Sequence, residues 1–444
     1  MKPIDRRFVS LACVLLAGSV ASIASCAKNE SVGVIDDDAS SPLPEASAVP
    51  IDDAGVDEVE AGCDASDADC TSELVSCDDV SWCLVANPVS TAHALTSVWG
   101  SSKDDVWAVG SGGTILHYDG QTWTKLPQDY PNTFVSVWGS AKEDVWIAST
   151  SSLVLHSRAF EGGAAVWENV APSVQSTAPN AVGGKPVTAI WAASPTEIRM
   201  GTRAFYASVA TPDYSFYFSG TVNRFVSERS VDGGLFWRAL PGREQVITAI
   251  WGSSADDVWM AIDNSARVAH ERGLLVHGRP YTGPRPNPNT VSRGDYCSDC
   301  EQGCVLCAMI DDPLIFSPID SQSNVALHAI WGSSANDVWA VGDQGTIRRN
   351  RAGDARWEVI ESPTTETLHA VCGSGPDDVW FAGNAGTVLH FDGTSVVRST
   401  VQLPLGAKPN LRGIWGSGPN DVWIVGDAVT LHYTGPKPGA SGGG

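Results

Sequence analysis

Short apolar runs, each closed off by Gly, Ser, Asp or Pro, carry most of the hydrophobic patterning of the chain. Between residues 96 and 127 they read TSVWG, DVWAVG, GTILHYDG and QTWTKLP, which predicts four short strands joined by tight turns. Outside the first 25 residues no segment sustains a 3.6-residue apolar period over three turns. The pattern predicts an all-β chain.

The four-strand pattern recurs. SVWGSSKDDVWAVG from Ser97 returns as SVWGSAKEDVWIAS from Ser136, AIWGSSADDVWMAI from Ala249, AIWGSSANDVWAVG from Ala329 and GIWGSGPNDVWIVG from Gly413. AVCGSGPDDVWFAG from Ala370 is a sixth copy, and AIWAASPTEIRMGT from Ala189 is a degraded one. The anchors Trp99, Trp138, Trp191, Trp251, Trp331, Cys372 and Trp415 therefore mark seven units. The shortest spacings are about 40 residues, the length of one four-stranded propeller blade. The last unit lacks a fourth strand. SWCLVANP around Trp82 matches the fourth-strand segments at Trp123, Trp167, Trp237 and Trp357. The expected fold is a seven-bladed β-propeller of four-stranded blades over residues 81–434, its ring closed by the N-terminal outer strand in the last blade.

The ends of the chain depart from this pattern. Lys2, Arg6 and Arg7 precede an apolar run from Phe8 to Ala21, and Ile23-Ala24-Ser25-Cys26 follows. Basic, apolar and small-residue regions in that order mark residues 1–25 as an export signal too short to span a membrane permanently. The small-residue site before the cysteine resembles the bacterial lipobox. That resemblance implies acylation of Cys26, and at about 0.8 kcal/mol per buried methylene several acyl chains make a stable anchor. Residues 26–80 read as an acidic tether, since residues 27–80 hold sixteen Asp and Glu against one Lys and cannot bury enough apolar surface to fold alone. Residues 435–444 read as a flexible Gly/Pro tail. The expected location is exported and membrane-anchored, at the periplasmic or surface face of the outer membrane.

Charge narrows the partners. The export segment carries +2 and residues 27–80 carry −15 of the chain's −23, which leaves −10 on residues 81–444. An acidic body excludes nucleic acid and leaves the lipid anchor as the contact with membrane. Cys63, Cys70, Cys77 and Cys83 form one local set, and Cys297, Cys300, Cys304 and Cys307 another. In an exported chain each set reads as two disulfide pairs, with three connectivities open per set. Three residues between the CxxC pairs of the second set are too few for a zinc ribbon, so no metal is expected there.

The chemistry-bearing residues repeat with the units. All seventeen tryptophans fall on first, second or fourth strands, which suits packing between adjacent sheets. Asp105, Asp144, Asp257, Asp337, Asp378 and Asp421 each precede a second strand, where a carboxylate is expected to accept from the backbone of its own turn. His117, His156, His270, His390 and His432, with Arg349 in the fifth unit, recur on third strands and read as structural hydrogen bonders. His328 and His369 recur in the same manner before the first-strand anchor.

Ser230, Asp232, Gly234 and Trp237 give Ser-x-Asp-x-Gly-x-x-Trp, which resembles the Asp-box of BNR-type propellers. YDGQTW from Tyr118 is similar to a shortened box. The resemblance is to the BNR/Asp-box-like members of the WD40/YVTN/BNR-like propeller superfamily, and implies the company of sialidases, glycan-binding proteins and non-catalytic assembly factors. A sialidase-like site needs three arginines gripping a carboxylate. Only Arg199 and Arg203 of the third unit stand near the required place, so no catalytic residue and no cofactor is expected.

Departures from the repeat are the better places to look for function. The third unit inserts residues 203–220 between its second and third strands, and the fourth inserts residues 271–314 between its third and fourth. Arg203, Tyr206, Tyr214 and Tyr217 are the expected contact residues, because Arg and aromatics dominate recognition patches. Packing of an inserted hairpin is the competing role for the tyrosines. The sequence thus predicts a monomeric, non-enzymatic binding or scaffold module for a glycan or a cell-envelope protein. A sialidase-like glycoside hydrolase and a purely structural surface lipoprotein are the alternatives.

Overall fold

The computed structural model describes residues 76–436, apart from 152, 162–163, 171–186, 211–216, 230–234, 242–245, 264–271, 281–313, 352–355 and 405. Cys26, the export segment and the tail from 437 lie outside the described residues. Val80, within the stretch read as tether, is buried. Among the described residues there is no α-helix, and antiparallel strands account for the regular structure.

Each repeat unit folds as consecutive antiparallel strands. The first unit pairs Leu95–Ser102, Asp105–Gly110, Thr114–Tyr118 and Trp123–Lys125 in that order. The second, fifth and sixth units build four-stranded sheets in the same order. The third and fourth units join into one eight-stranded sheet through the pairing of Arg203 with Val246. In the last unit Leu411–Gly418, Asp421–Gly426 and Thr430–Tyr433 take a fourth strand, Trp82–Leu84, with Trp82 opposite Tyr433. Cys83 of this strand is joined to Cys77 by a disulfide, their Cα atoms 5.4 Å apart. The other six candidate cysteines lie outside the described residues.

Second strands are buried on both faces, which is why they read as unbroken apolar runs such as DVWAVG. Their tryptophans bridge to the fourth-strand tryptophan of the following unit. Trp107 meets Trp167 edge-on at 5.9 Å, Trp146 meets Trp237 at 6.1 Å and Trp259 meets Trp357 at 5.4 Å. Trp380 meets Trp82 at 5.1 Å, and Trp423 meets Trp123 at 5.2 Å. Packing between sheets is what the tryptophan census predicted.

First strands of consecutive units lie side by side, and the Trp of one covers the Gly of the next. Trp99 lies over Gly139, Trp191 over Gly252, Trp251 over Gly332, Trp331 over Gly373 and Trp415 over Gly100. A Cβ on Gly332 would lie 2.6 Å from the Trp251 ring and 2.8 Å from the Asp337 carbonyl oxygen. Gly332→Ala is therefore expected to cost about 1–3 kcal/mol in a denaturant titration. Gly418→Ala, where a Cβ meets nothing within 4 Å, is the neutral control.

One structural detail corrects the sequence reading, and a second specifies it. The third strand of the fourth unit is Leu274–Pro280, so part of the 271–314 stretch belongs to the sheet itself. In the third unit the 203–220 stretch prolongs two strands, Glu197–Ala210 and Tyr217–Arg229, into a long hairpin in which Ala210 pairs with Tyr217.

Candidate functional site

Each regular first strand is interrupted by two bulges, and the bulges decide where the polar chemistry goes. In the first unit Leu95 pairs with Gly110 and Ser97 with Val109, so Thr96 is left over; Gly100 pairs with Val106 and Ser102 with Asp105, so Ser101 is left over. A bulged residue is free to aim its side chain away from the ladder. The two bulges build two different rings of polar contacts.

The second bulge serves a cluster that is buried in the first and second units and partly exposed in the sixth and seventh. Ser101, Ser140, Ser253, Ser333 and Ser417 donate to the aspartate four residues on, at 2.5–2.7 Å. Ser374 donates to Asp378 in the same way. The other carboxylate oxygen faces Nε2 of a third-strand histidine: His117, His156, His277, His390 and His432, at 2.5–2.8 Å. Four of these imidazoles stack on the second-strand indole at 3.7–4.0 Å. The expectation that the aspartates are held by their own turns is thus replaced by a Ser–Asp–His–Trp cluster. The fourth-unit histidine is His277 and not His270, which lies outside the described residues.

These clusters have a pH signature. Burial pushes the carboxyl groups of Asp105, Asp144, Asp257, Asp378 and Asp421 up, but the bonds from histidine and serine outweigh it and hold them below the ordinary value of 3.8. The fold favours the ionised form, so the stabilisation is complete above the unfolded value and is lost as pH falls through the depressed one. The urea midpoint is expected to fall as pH drops below the ordinary carboxylate range, and less so in Asp421→Asn. An equal fall in both proteins contradicts this.

The third unit breaks the cluster. Glu197 replaces the aspartate, and Arg199 stands where the indole should be, 1 % exposed and near the Phe316 ring. Ser227 donates to the Thr196 carbonyl and accepts from the Ile198 N–H, tying the second strand to the third. Arg199 is inside the protein and Arg203 is exposed, so these two do not converge as a carboxylate grip. Tyr206 and Tyr217 lie on the hairpin strands, opposite Thr221 and Ala210, and Tyr214 falls outside the described residues. Trp237 donates to the Val170 carbonyl at 2.6 Å, while Ser230, Asp232 and Gly234 of the Asp-box lie outside the described residues. Cys372 is free and buried, which pushes its thiol up to about 12 and leaves it unreactive.

The first bulge is where the units differ. Thr96, Thr188 and Thr248 occupy it in the first, third and fourth units, each donating to a backbone carbonyl of the following unit. In the last three units the position holds His328, His369 and Arg412. Each reaches a residue just past its own second strand: His328 Nε2 lies 2.7 Å from Asp343, His369 Nε2 2.7 Å from Asn384, and Arg412 Nε 2.7 Å from Asp427. Arg203 holds the corresponding strand-end position in the third unit.

Further residues extend this arc. Thr367 donates to Asp343, Asn410 donates to Asp427, and His93 lies 3.3 Å from Ser111 next to the bridge between Ala94 and Asp427. The described histidines outside the buried clusters are His93, His328 and His369, all on this one arc. Its turns are also strained: Gln344, Ala385 and Ala428 take a left-handed φ of 54–58°, where the first unit uses Gly112. Non-glycine residues held there cost about 1–2 kcal/mol each, a cost that tends to persist where a site needs the geometry. In sequence His328 and His369 read only as a repeat, whereas the other four units hold Thr or Val at that bulge.

No family model matches the chain, and no curated protein matches it in sequence. Solved structures do match in fold. YCF48 bound to a D1 peptide is 16 % identical with a TM-score of 0.54, over 80 % of this chain and 97 % of that one. The WD40 β-propeller domain of Doa1 is 11 % identical with a TM-score of 0.53, over 82 % and 99 %. Virginiamycin B lyase from Staphylococcus aureus is 14 % identical with a TM-score of 0.51, over 80 % and 99 %. These likenesses establish a β-propeller fold and say nothing of activity.

Proposed function

We propose that the chain is an exported, lipid-anchored propeller of seven blades that binds a glycan or a cell-envelope protein without transforming it. Cys26 is the anchor in this reading, supported by the basic, apolar and small-residue order of residues 1–25. Ring closure through Trp82–Leu84 is supported by its pairing in the last sheet and by the contacts of Trp415 and Trp423 with the first unit.

The observation that carries the binding reading is the arc of His328, His369 and Arg412. It gathers the half-buried His328 and His369 and the exposed Arg412 at one position of an otherwise similar repeat, as a ligand contacting only some blades requires. Arg203, Tyr206, Tyr214 and Tyr217, on the stretch inserted in the third unit, are the further candidate contact residues of this reading. The peptide carried by the YCF48 structure makes a polypeptide the first partner to try.

The full exported chain is to be screened against glycan arrays and immobilised envelope peptides. Arg412→Thr is expected to weaken any specific binding by about tenfold or more. Binding lost only in Tyr214→Ala or Tyr217→Ala moves the site to the hairpin, and binding indifferent to all three substitutions overturns the proposal.

A further inference from the structure

We propose that His328 and His369 form an open two-histidine site for a borderline divalent cation of the Cu2+, Ni2+ or Zn2+ class. The carboxylate of Asp343 and the amide oxygen of Asn384 accept hydrogen bonds and do not donate, so the Nε2 facing each carries the proton. A neutral imidazole protonated at Nε2 presents a bare lone pair at Nδ1. Among the described residues neither Nδ1 has a hydrogen-bond partner. Metal-binding histidines are oriented in this way, with one nitrogen for the cation and the other N–H given to a carboxylate or carbonyl.

The spacing agrees. The two ring centroids lie 5.6 Å apart with their planes tilted by 45°. Imidazoles sharing a cation at a metal–nitrogen distance of about 2.1 Å, at tetrahedral or wider angles, hold their centroids roughly 5–6 Å apart.

The electrostatics allow a cation. The charge of Arg412 is answered by Asp427 at 2.7 Å, and the Asp343 carboxylate lies beside the His328 ring. Two protein nitrogens do not fill a coordination sphere. The remaining positions go to water or to a donor group of a bound partner, which makes the affinity modest and the site open. Asp343 and Asn384 are positioning residues here.

Titration of the full exported chain with CuCl2 at pH 7.5, disulfides intact, tests this by calorimetry and electron paramagnetic resonance. One equivalent whose spectrum shows two coupled imidazole nitrogens is expected. His328→Thr and His369→Thr should each reduce the coupling to one nitrogen and weaken binding by about tenfold or more. Thr96, Thr188 and Thr248 hold the same bulge in other units, so these variants keep the fold, and their melting curves verify it. Acidification to about pH 5 should release the cation, because protons compete for the same lone pairs. A spectrum without coupled nitrogens overturns the proposal. So does copper bound equally well by both variants, as at another histidine or at residues 297–307.

Discussion

Trp82→Ala is expected to destabilise the folded chain by about 3–5 kcal/mol, out of proportion to the three-residue strand that carries it. The side chain is fully buried, edge-on to Trp380 at 5.1 Å and tilted against Tyr433 at 5.4 Å. Its carbonyl accepts from Gln402, so the backbone is tied to the sixth unit's outgoing segment as well as to the last sheet. Truncation removes the ring that joins two sheets, and the strand has only three residues of pairing to fall back on. Loss of the strand leaves Thr430–Tyr433 as an unpaired edge. A urea titration monitored by tryptophan fluorescence measures the change, and a loss below about 1 kcal/mol would show that the strand is merely docked. Removing residues 78–88 altogether is the stronger form of the test. It should abolish cooperative unfolding, because the last sheet then has neither its outer strand nor its tie to the sixth unit.

The same strand shows what was legible in the sequence. Trp82 was found by matching SWCLVANP to other fourth strands, and the match worked because packing between sheets demands a large ring at one place in each unit. His277 was missed for the opposite reason. Leu275-Val276-His277 repeats the Ile115-Leu116-His117 pattern of other third strands, but the loop before it is longer than in the other units. Loop length varies freely while strand pattern does not, so the pattern was the better guide. The bulges were not legible at all. Whether Thr96 or His328 points along the ladder or away from it depends on which residue is skipped in pairing, and that is set by the partner strand. The arc of His328, His369 and Arg412 therefore emerges only when the seven first strands are superposed as structures.

Asp337→Ala is expected to cost about 3–5 kcal/mol, and Arg349→His is expected to cost less than about 1 kcal/mol. The fifth unit replaces the recurrent histidine by Arg349, whose Nε lies 2.6 Å from Asp337 with both side chains less than a tenth exposed. The guanidinium sits over the Trp339 ring at 4.4 Å, taking the place of the stacked imidazole, and also donates to the Pro376 carbonyl of the sixth unit. Removing the carboxylate leaves a permanent cation buried against indole with one neutral acceptor, and no protonation change can relieve it. A histidine at 349 meets the same Asp–Ser–Trp surroundings that hold His117, His156, His277, His390 and His432. It gives up the Pro376 contact but removes the need to bury a fixed charge. Denaturant titrations of the two variants and of the double variant Asp337→Ala/Arg349→His measure the coupling. The double variant should recover a substantial part of the Asp337→Ala loss, since a neutral imidazole tolerates the missing carboxylate better than a guanidinium does. If the double variant is no more stable than Asp337→Ala alone, the cost lies in the serine and turn contacts of the carboxylate rather than in the stranded arginine.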